Sequence, residues 1–369
     1  MENDVPPVYG SPPPLISPPP HGPNPRRGRG WMILALVFGA ILTLVLASNV
    51  ASLVRGLIGG TAGRQGGHWM EEVMVEDHHS AHRIAIIDVE GLIASQSLDR
   101  SGRSMVDSIE DQLKLAGADK TVKAVILKVD SPGGEVMASD DISRALIEFQ
   151  DKNHKPVVAA MGGMAASGGY YVSAPCQWIV ANELTITGSI GVIMHSFNYR
   201  GLLDKVGLFP MVFKSGKFKD MLSGTKRMDE IDPQEQKMIQ DMIDETYKKF
   251  KSVVAQGRQR AHDKNQSAGR ALVEGWEQLA DGRVLTGTQA YESGFVDEKG
   301  TFATAVARAK QLAKIADADL IRYLEPFKLS SLLGLFGKSE TTTLKIDIGM
   351  DLPKLKVGRL YFLSTSVLH

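Results

Sequence analysis

An α/β fold is predicted for residues 83–325 of this 369-residue chain on three grounds. Apolar, β-branched runs recur at 83–89 (RIAIIDV), 124–130 (AVILKVD) and 156–161 (PVVAAM), and runs without polar alternation belong to strands covered on both faces. Helical patterns separate these runs. Glycine-containing turns lie near the ends of the buried elements, where a strand gives way to a helix.

The elements follow in order. Met105, Ile109 and Leu113 recur at four-residue spacing, an amphipathic helix pattern. In the next segment Ile142, Ala145, Leu146 and Phe149 line one face behind Asp140 and Asp141, whose charge suits a helix N-terminus. A longer helix is predicted from Asp232-Pro233, with Glu235 in the capping-box position and Ile239, Ile243, Thr246, Tyr247, Phe250 and Val254 along one face. No internal repeat is visible.

Composition narrows the function classes. Lys+Arg 42 against Asp+Glu 42 gives no net charge, which removes the electrostatic footprint of a nucleic-acid binder. A hydrophobic fraction of 43% excludes wholesale disorder and a multi-span membrane protein. The single cysteine, Cys176, excludes an internal disulfide, a zinc site of several thiolates and a C-x-x-C redox pair.

Ten prolines lie between Pro6 and Pro25, so residues 1–30 read as a solvated, polyproline-like tail. Residues 31–54 carry no charge, and in helical form they reach roughly 36 Å, enough to cross a bilayer core. A soluble-core helix is seldom apolar all round, and no A-x-A cleavage site follows, so the expectation is one uncleaved transmembrane anchor. Arg26, Arg27 and Arg29 before the span, against Arg55 and Arg64 after it, favour a cytoplasmic N-terminus and an extracytoplasmic domain. Residues 55–82 read as a linker and 326–369 as a C-terminal segment, apolar at 329–336 and 360–363, where ordinary packing outweighs subunit or membrane contacts.

Three stretches carry chemistry. Asp130-Ser131-Pro132-Gly133-Gly134 follows a strand, and its glycines let backbone N–H groups approach an oxyanion, although a plain tight turn has the same composition. Gly162–Tyr171 (GGMAASGGYY) leaves Ser167 uncrowded at the start of a helix, where N–H dipoles favour developing negative charge. Close helix–sheet packing would select the same small residues. Ala165 departs from the G-x-S-x-G elbow, which disfavours an α/β-hydrolase.

A serine nucleophile needs a base, and two candidates follow. His195 would suit a Ser-His-Asp triad with little tuning. Lys219, in Lys214–Asp220 (KSGKFKD), would have to be neutral. From a reference pKa near 10.4, a drop of about three units corresponds to roughly 4 kcal/mol, which burial can supply. Residues alone leave both open. Asp77, His78, His79 and His82 are a weaker metal candidate, since adjacent histidines seldom converge in a linker.

The ordered set VDSPGG, MAASGGYYVSA, TITGSIGVI, KSGKFKD and ADGRVLTGTQAYESGFVDEKG resembles the signal peptide peptidase A family in its short, single-catalytic-domain form. These are membrane-anchored serine–lysine peptidases of the Clp-protease/crotonase superfamily. The likeness runs from about Arg83 to Ala309. It implies a Clp-protease/crotonase-like fold of repeated β-β-α units preceded by one transmembrane helix. It implies Ser167 as nucleophile, Lys219 as general base, Ser189 as the residue orienting the lysine, and the backbone N–H groups of Gly134 and Gly168 as oxyanion donors. Asp281-Gly282-Arg283-Val284 reads as a structural signature.

The resemblance further implies no cofactor or metal, a homo-oligomeric ring or dome at the cell membrane, with the dyad formed either within one protomer or between neighbours, and signal-peptide remnants or other unfolded peptides as substrates. Three rival readings remain: a Clp-type triad peptidase using His195, a crotonase-like acyl-CoA enzyme that does not require Ser167, and a non-catalytic membrane scaffold.

Overall fold

Strands with no polar alternation need cover on both faces, and the sheet finds it. The computed structural model describes residues 36–39, 70–96, 103–325 and 360–363. Five parallel strands form its centre: β2 (Arg83–Ile93), β3 (Val122–Glu135), β4 (Val157–Ala166), β5 (Trp178–Ala181) and β8 (Glu298–Lys299). β9 (Asp319–Leu324) lies parallel to β2, and β1 (Glu71–Glu76) closes that edge antiparallel to β9. Part of the segment expected as linker is therefore strand. Three short strands complete the set: β6 (Ile186–Gly188), β7 (Val284–Thr286) and β10 (Tyr361–Leu363).

Alternate residues serve opposite faces. Ala85, Ile87, Val125, Leu127, Val157 and Ala159 join one core cluster, covered by α1 (Met105–Ala118), α2 (Val136–Asn153) and α3 (Gly168–Ser173). Ile84, Ile86, Ala124, Ile126, Val158 and Ala160 join the other, where Ala305 and Ala309 of α7 (Phe302–Leu312) pack. Their small side chains let that helix lie close to the sheet. In place of separate strand pairs, the long strands change partner part-way: Val158–Met161 of β4 pair with β5, and Met164–Ala166 pair with β6.

The helices differ from their expected bounds in instructive ways. α1 buries Val106, Ile109, Leu113 and Ala116, with Ser104 as its capping residue. Met105 lies at the margin of that stripe. α2 starts at Val136, ahead of Asp140 and Asp141, and Asp140 accepts the Tyr171 hydroxyl at 2.7 Å. Two short helices, α4 (Arg200–Lys205) and α6 (Gly287–Glu292), punctuate the loops on either side of the long α5 (Pro233–Lys264). In α5 only the second half reaches the core, through Phe250, Val253, Val254 and Gly257, while Ile239, Ile243 and Thr246 stay half-buried.

The expected tail at 1–30 lies outside the described residues, as does the anchor at 31–54 apart from the helical residues 36–39. Among the described residues no helix is long and apolar enough to cross a membrane. Of the C-terminal segment only 360–363 is described. Cys176 is buried, which pushes its thiol up to about 12 and leaves it unreactive.

One buried ion pair staples α5 to the sheet. Arg258 bonds to Asp297, both side chains 1% exposed, and the same carboxylate accepts the Ile179 N–H at 2.8 Å and the Arg270 N–H at 3.1 Å. Asp297→Ala would strand a buried guanidinium, and an expected loss of about 3–5 kcal/mol should appear as an earlier urea midpoint.

Candidate active site

β4 ends at Ala166 and α3 begins at Gly168, so Ser167 alone makes the turn. Its φ of 54° and ψ of −114° form a conformation that residues with a β-carbon seldom adopt, costing about 1–3 kcal/mol. Two bonds enforce it. The Ser167 N–H donates to Gly188 O at 2.8 Å, and the Ser167 carbonyl accepts the Tyr171 N–H at 2.8 Å. The residue is 1% exposed, yet its Oγ has no hydrogen-bond partner among the described residues. A buried hydroxyl left so costs about 1–3 kcal/mol, and the fold tolerates both penalties at one serine.

Ser189 stands beside it. β6 runs parallel to the end of β4 with Gly188 opposite Ala166, so Ser167 and Ser189 are the next residues along neighbouring strands. Ser189 also has positive φ, 50°, and its N–H donates to Arg283 O at 2.7 Å. Arg283 is clamped to Asp281 through Nε at 2.8 Å and Nη2 at 2.6 Å, and this pairing holds the Asp281 carboxyl at about 2. The DGRV motif thus supports Ser189 through its backbone, as a structural signature should.

The glycine loop reaches the same place. Ser131 Oγ donates to Gly91 O at 2.6 Å and accepts the Gly133 N–H at 3.0 Å, pinning the turn. Asp130 Oδ1 accepts the Met164 N–H at 3.0 Å and ties this loop to β4. Gly133 has φ 102°, and a Cβ there would collide with the Phe362 carbonyl and stand 2.6 Å from the Gly168 nitrogen. A Cβ on Gly168 would stand 3.0 Å from the Gly134 nitrogen. The Gly134 and Gly168 backbone nitrogens therefore approach one another next to Ser167.

Four lysines crowd residues 214–226, and ion pairing sorts them. Lys214 bonds to Asp220 at 2.7 Å, Lys226 to Asp220 at 3.0 Å and Glu235 at 2.7 Å, and Lys217 to Asp232 at 2.6 Å. Lys219 alone has no anionic partner among the described residues. Its backbone N–H donates to Gly216 O at 3.2 Å and its side chain is exposed. Glu235, expected to close a capping box, is buried and instead accepts the Leu222 N–H at 3.0 Å. Asp232 caps α5, accepting the Gln234 N–H at 2.8 Å.

Within the chain, then, Ser167, Ser189, Gly134 and Gly168 are gathered, and Lys219 is held on the following loop without a bond to either serine. His195 is exposed with no carboxylate partner among the described residues, so no triad is assembled around it. Ser131 and Glu235 escaped the sequence reading as positioning residues. A serine two places before a glycine is the only local hint for the first, and Glu235 gives none, because its partners lie on another segment.

Comparison with known proteins places the chain among peptidases. The family model described as "Peptidase family S49" matches residues 149–316. The Enterococcus faecium protein named "Putative signal peptide peptidase SppA" is 36% identical over 318 residues, spanning 81% of this chain and 85% of its own. A Synechocystis protein named as a protease is 37% identical over 272 residues, 73% of this chain and 88% of its own. Among solved structures, a mutant of ClpP1 from Listeria monocytogenes aligns with TM-score 0.36 and 14% identity over 60% of this chain and 93% of its own. That likeness is too slight to bear on the fold, which the strand order describes directly.

The Lys214 hydrogen bond holds the Asp220 carboxyl below its ordinary 3.8. Such a group strengthens the loop above that value and ceases to do so as pH falls through the lowered one. Amide exchange at Leu222, measured relative to core amides, should therefore accelerate as pH falls below 3.8 and through the lowered value.

Proposed function

Because this chain belongs to peptidase family S49, and is a serine peptidase by that membership, we propose that Ser167 and Lys219 are its catalytic dyad. One observation carries the reading: a buried, unpartnered hydroxyl on a strained strand-to-helix turn, beside two glycine N–H groups. Strain and an unsatisfied polar atom at one place mark a group kept for chemistry.

The steps are those of acyl transfer. Neutral Lys219 Nζ takes the Ser167 Oγ proton as Oγ attacks a peptide carbonyl. The N–H groups of Gly134 and Gly168 hold the resulting oxyanion, and the lysine then protonates the leaving amine. Water hydrolyses the ester with the same amine as base. The Ser189 hydroxyl orients the lysine. A carboxylate partner would favour the charged amine, so the absence of one at Lys219 among the described residues favours it over Lys214, Lys217 and Lys226.

The dyad is completed by a second copy of the chain, in a ring or dome. Two features support this. The Lys219 side chain is exposed, and the preceding segment from Phe197 to Phe213 leaves several large apolar side chains uncovered, Phe213 being 88% exposed. Burial in that contact supplies the desolvation a lysine base needs. The uncharged span at 31–54 with its leading arginines anchors the assembly in the cell membrane, tail in the cytoplasm and catalytic domain outside. Its substrates are signal-peptide remnants and other unfolded peptides released there, a reading supported by the name of the Enterococcus relative.

Ser167→Ala and Lys219→Ala should each lower hydrolysis of a fluorogenic peptide by about 10³-fold or more in detergent-extracted protein, while His195→Ala retains activity. Wild-type rates should rise into the alkaline range. Mixed assemblies of the two inactive variants should regain part of the activity when the dyad forms between chains, and stay dead when it forms within one. Loss of activity in His195→Ala alone would transfer the base to the histidine.

A further inference from the structure

Glu135 closes β3 and occupies the N-cap position of α2, where an acidic side chain ordinarily accepts an N–H from the first helical turn. Here it makes no such bond. Its carboxylate turns the other way, and Oε2 accepts both the Ser95 N–H at 3.1 Å and the Ser95 hydroxyl at 2.5 Å, just past the end of β2. At 8% exposure a carboxylate needs hydrogen bonds to offset its lost water, and Ser95 supplies two.

This clip fastens one side of a bulge. β2 and β3 pair without interruption from Ile84 to Glu90, after which Ser131 and Pro132 of β3 stand against Gly91 alone. Pairing resumes with Leu92 opposite Gly133 and Ile93 opposite Gly134. An extra residue bends its strand and re-aims the backbone groups beside it, and Gly134 is among them. Positive φ at Gly91, 73°, and at Gly133, 102°, marks the distortion. Ser131 Oγ, bonded to Gly91 O, fastens the near side, and Glu135 with Ser95 fastens the far side. Gly134 lies between the two.

The same residue reaches toward the second glycine donor. Glu135 O accepts the Ser139 hydroxyl at 2.9 Å, and a Cβ on Gly168 would stand 2.7 Å from that hydroxyl oxygen.

We propose that Glu135 is a positioning residue for the oxyanion site: through Ser95 it sets the direction of the Gly134 N–H, without touching substrate itself. The inference rests on the peptidase reading for what that N–H serves, and on the bulge with its two fastenings for how it is aimed. A donor acts only when directed at the place the oxyanion will occupy, so a small displacement removes transition-state stabilisation and leaves ground-state binding intact.

The test uses the full chain in detergent. Glu135→Ala and Ser95→Ala should each lower kcat on a fluorogenic peptide by about 10- to 100-fold, with KM within about twofold of wild type. The inhibition constant of a peptide boronate, whose tetrahedral adduct on Ser167 sets an oxygen against the donors, should rise by a similar factor. Affinity for the matching peptide amide, which forms no adduct, should not change. The double variant should be no slower than Glu135→Ala alone, because both changes break one contact. Glu135→Gln keeps an acceptor oxygen for Ser95 and should recover most of the rate. Amide exchange across residues 133–136, relative to core amides, should accelerate in both alanine variants. Ser95 is exposed, so its variant probes the contact even where Glu135→Ala fails to fold. A raised KM at unchanged kcat, equal weakening of boronate and peptide amide, or losses that multiply in the double variant would overturn the proposal. If exchange follows the expected pattern while no form, wild type included, hydrolyses peptides or reacts with a fluorophosphonate at Ser167, the clip stands and the peptidase chemistry falls.

Discussion

Everything at this site depends on the backbone of one residue being held where a side chain resists it. Ser167 turns the chain from β4 into α3 at positive φ, and no described residue bonds its hydroxyl. Left alone, a serine would relax into a commoner conformation, since the penalty is comparable with the worth of a hydrogen bond. The parallel pairing of β4 with β6 prevents this by bringing Gly188 O to the Ser167 N–H, and the first turn of α3 prevents it again through Tyr171. The geometry of Ser167 is thus a by-product of sheet register.

The neighbouring glycines answer the same constraint. A turn this tight brings Gly168 against the loop that follows β3, and neither Gly133 nor Gly168 has room for a β-carbon. Removing side chains lets N–H groups of two separate segments converge, something a single helix terminus cannot arrange alone. Ser131 and Asp130 fasten the loop in that approach from within the sheet. The hydroxyl and its surrounding donors are therefore positioned by one fold feature, the close meeting of the β3 and β4 ends.

The proposed base, Lys219, belongs to a different regime. Its loop lies outside the sheet and is organised by charge: Asp220, Asp232 and Glu235 engage three lysines and leave the fourth unmatched. That loop follows an apolar stretch which the described residues leave uncovered, and Ile239, Ile243 and Thr246 in the first half of α5 are half-buried. Ser167 and the glycine loops are thus held within the sheet, and Lys219 stands exposed outside it.

Periodicity alone determined the α/β class, the three central strands and the second half of the α5 stripe, because burial on both faces leaves no place for polar residues at 84–89, 124–129 or 157–161. The serine with its small neighbours was legible too, since close approach selects glycine and alanine locally. Which of several lysines is free was not legible, for ion pairs such as Lys226–Glu235 join residues whose proximity no spacing reveals. The start of α2, the lost capping box at Glu235 and the seat of Phe362 were likewise hidden. Each depends on contacts between distant segments, and only the folded sheet brings those segments within reach.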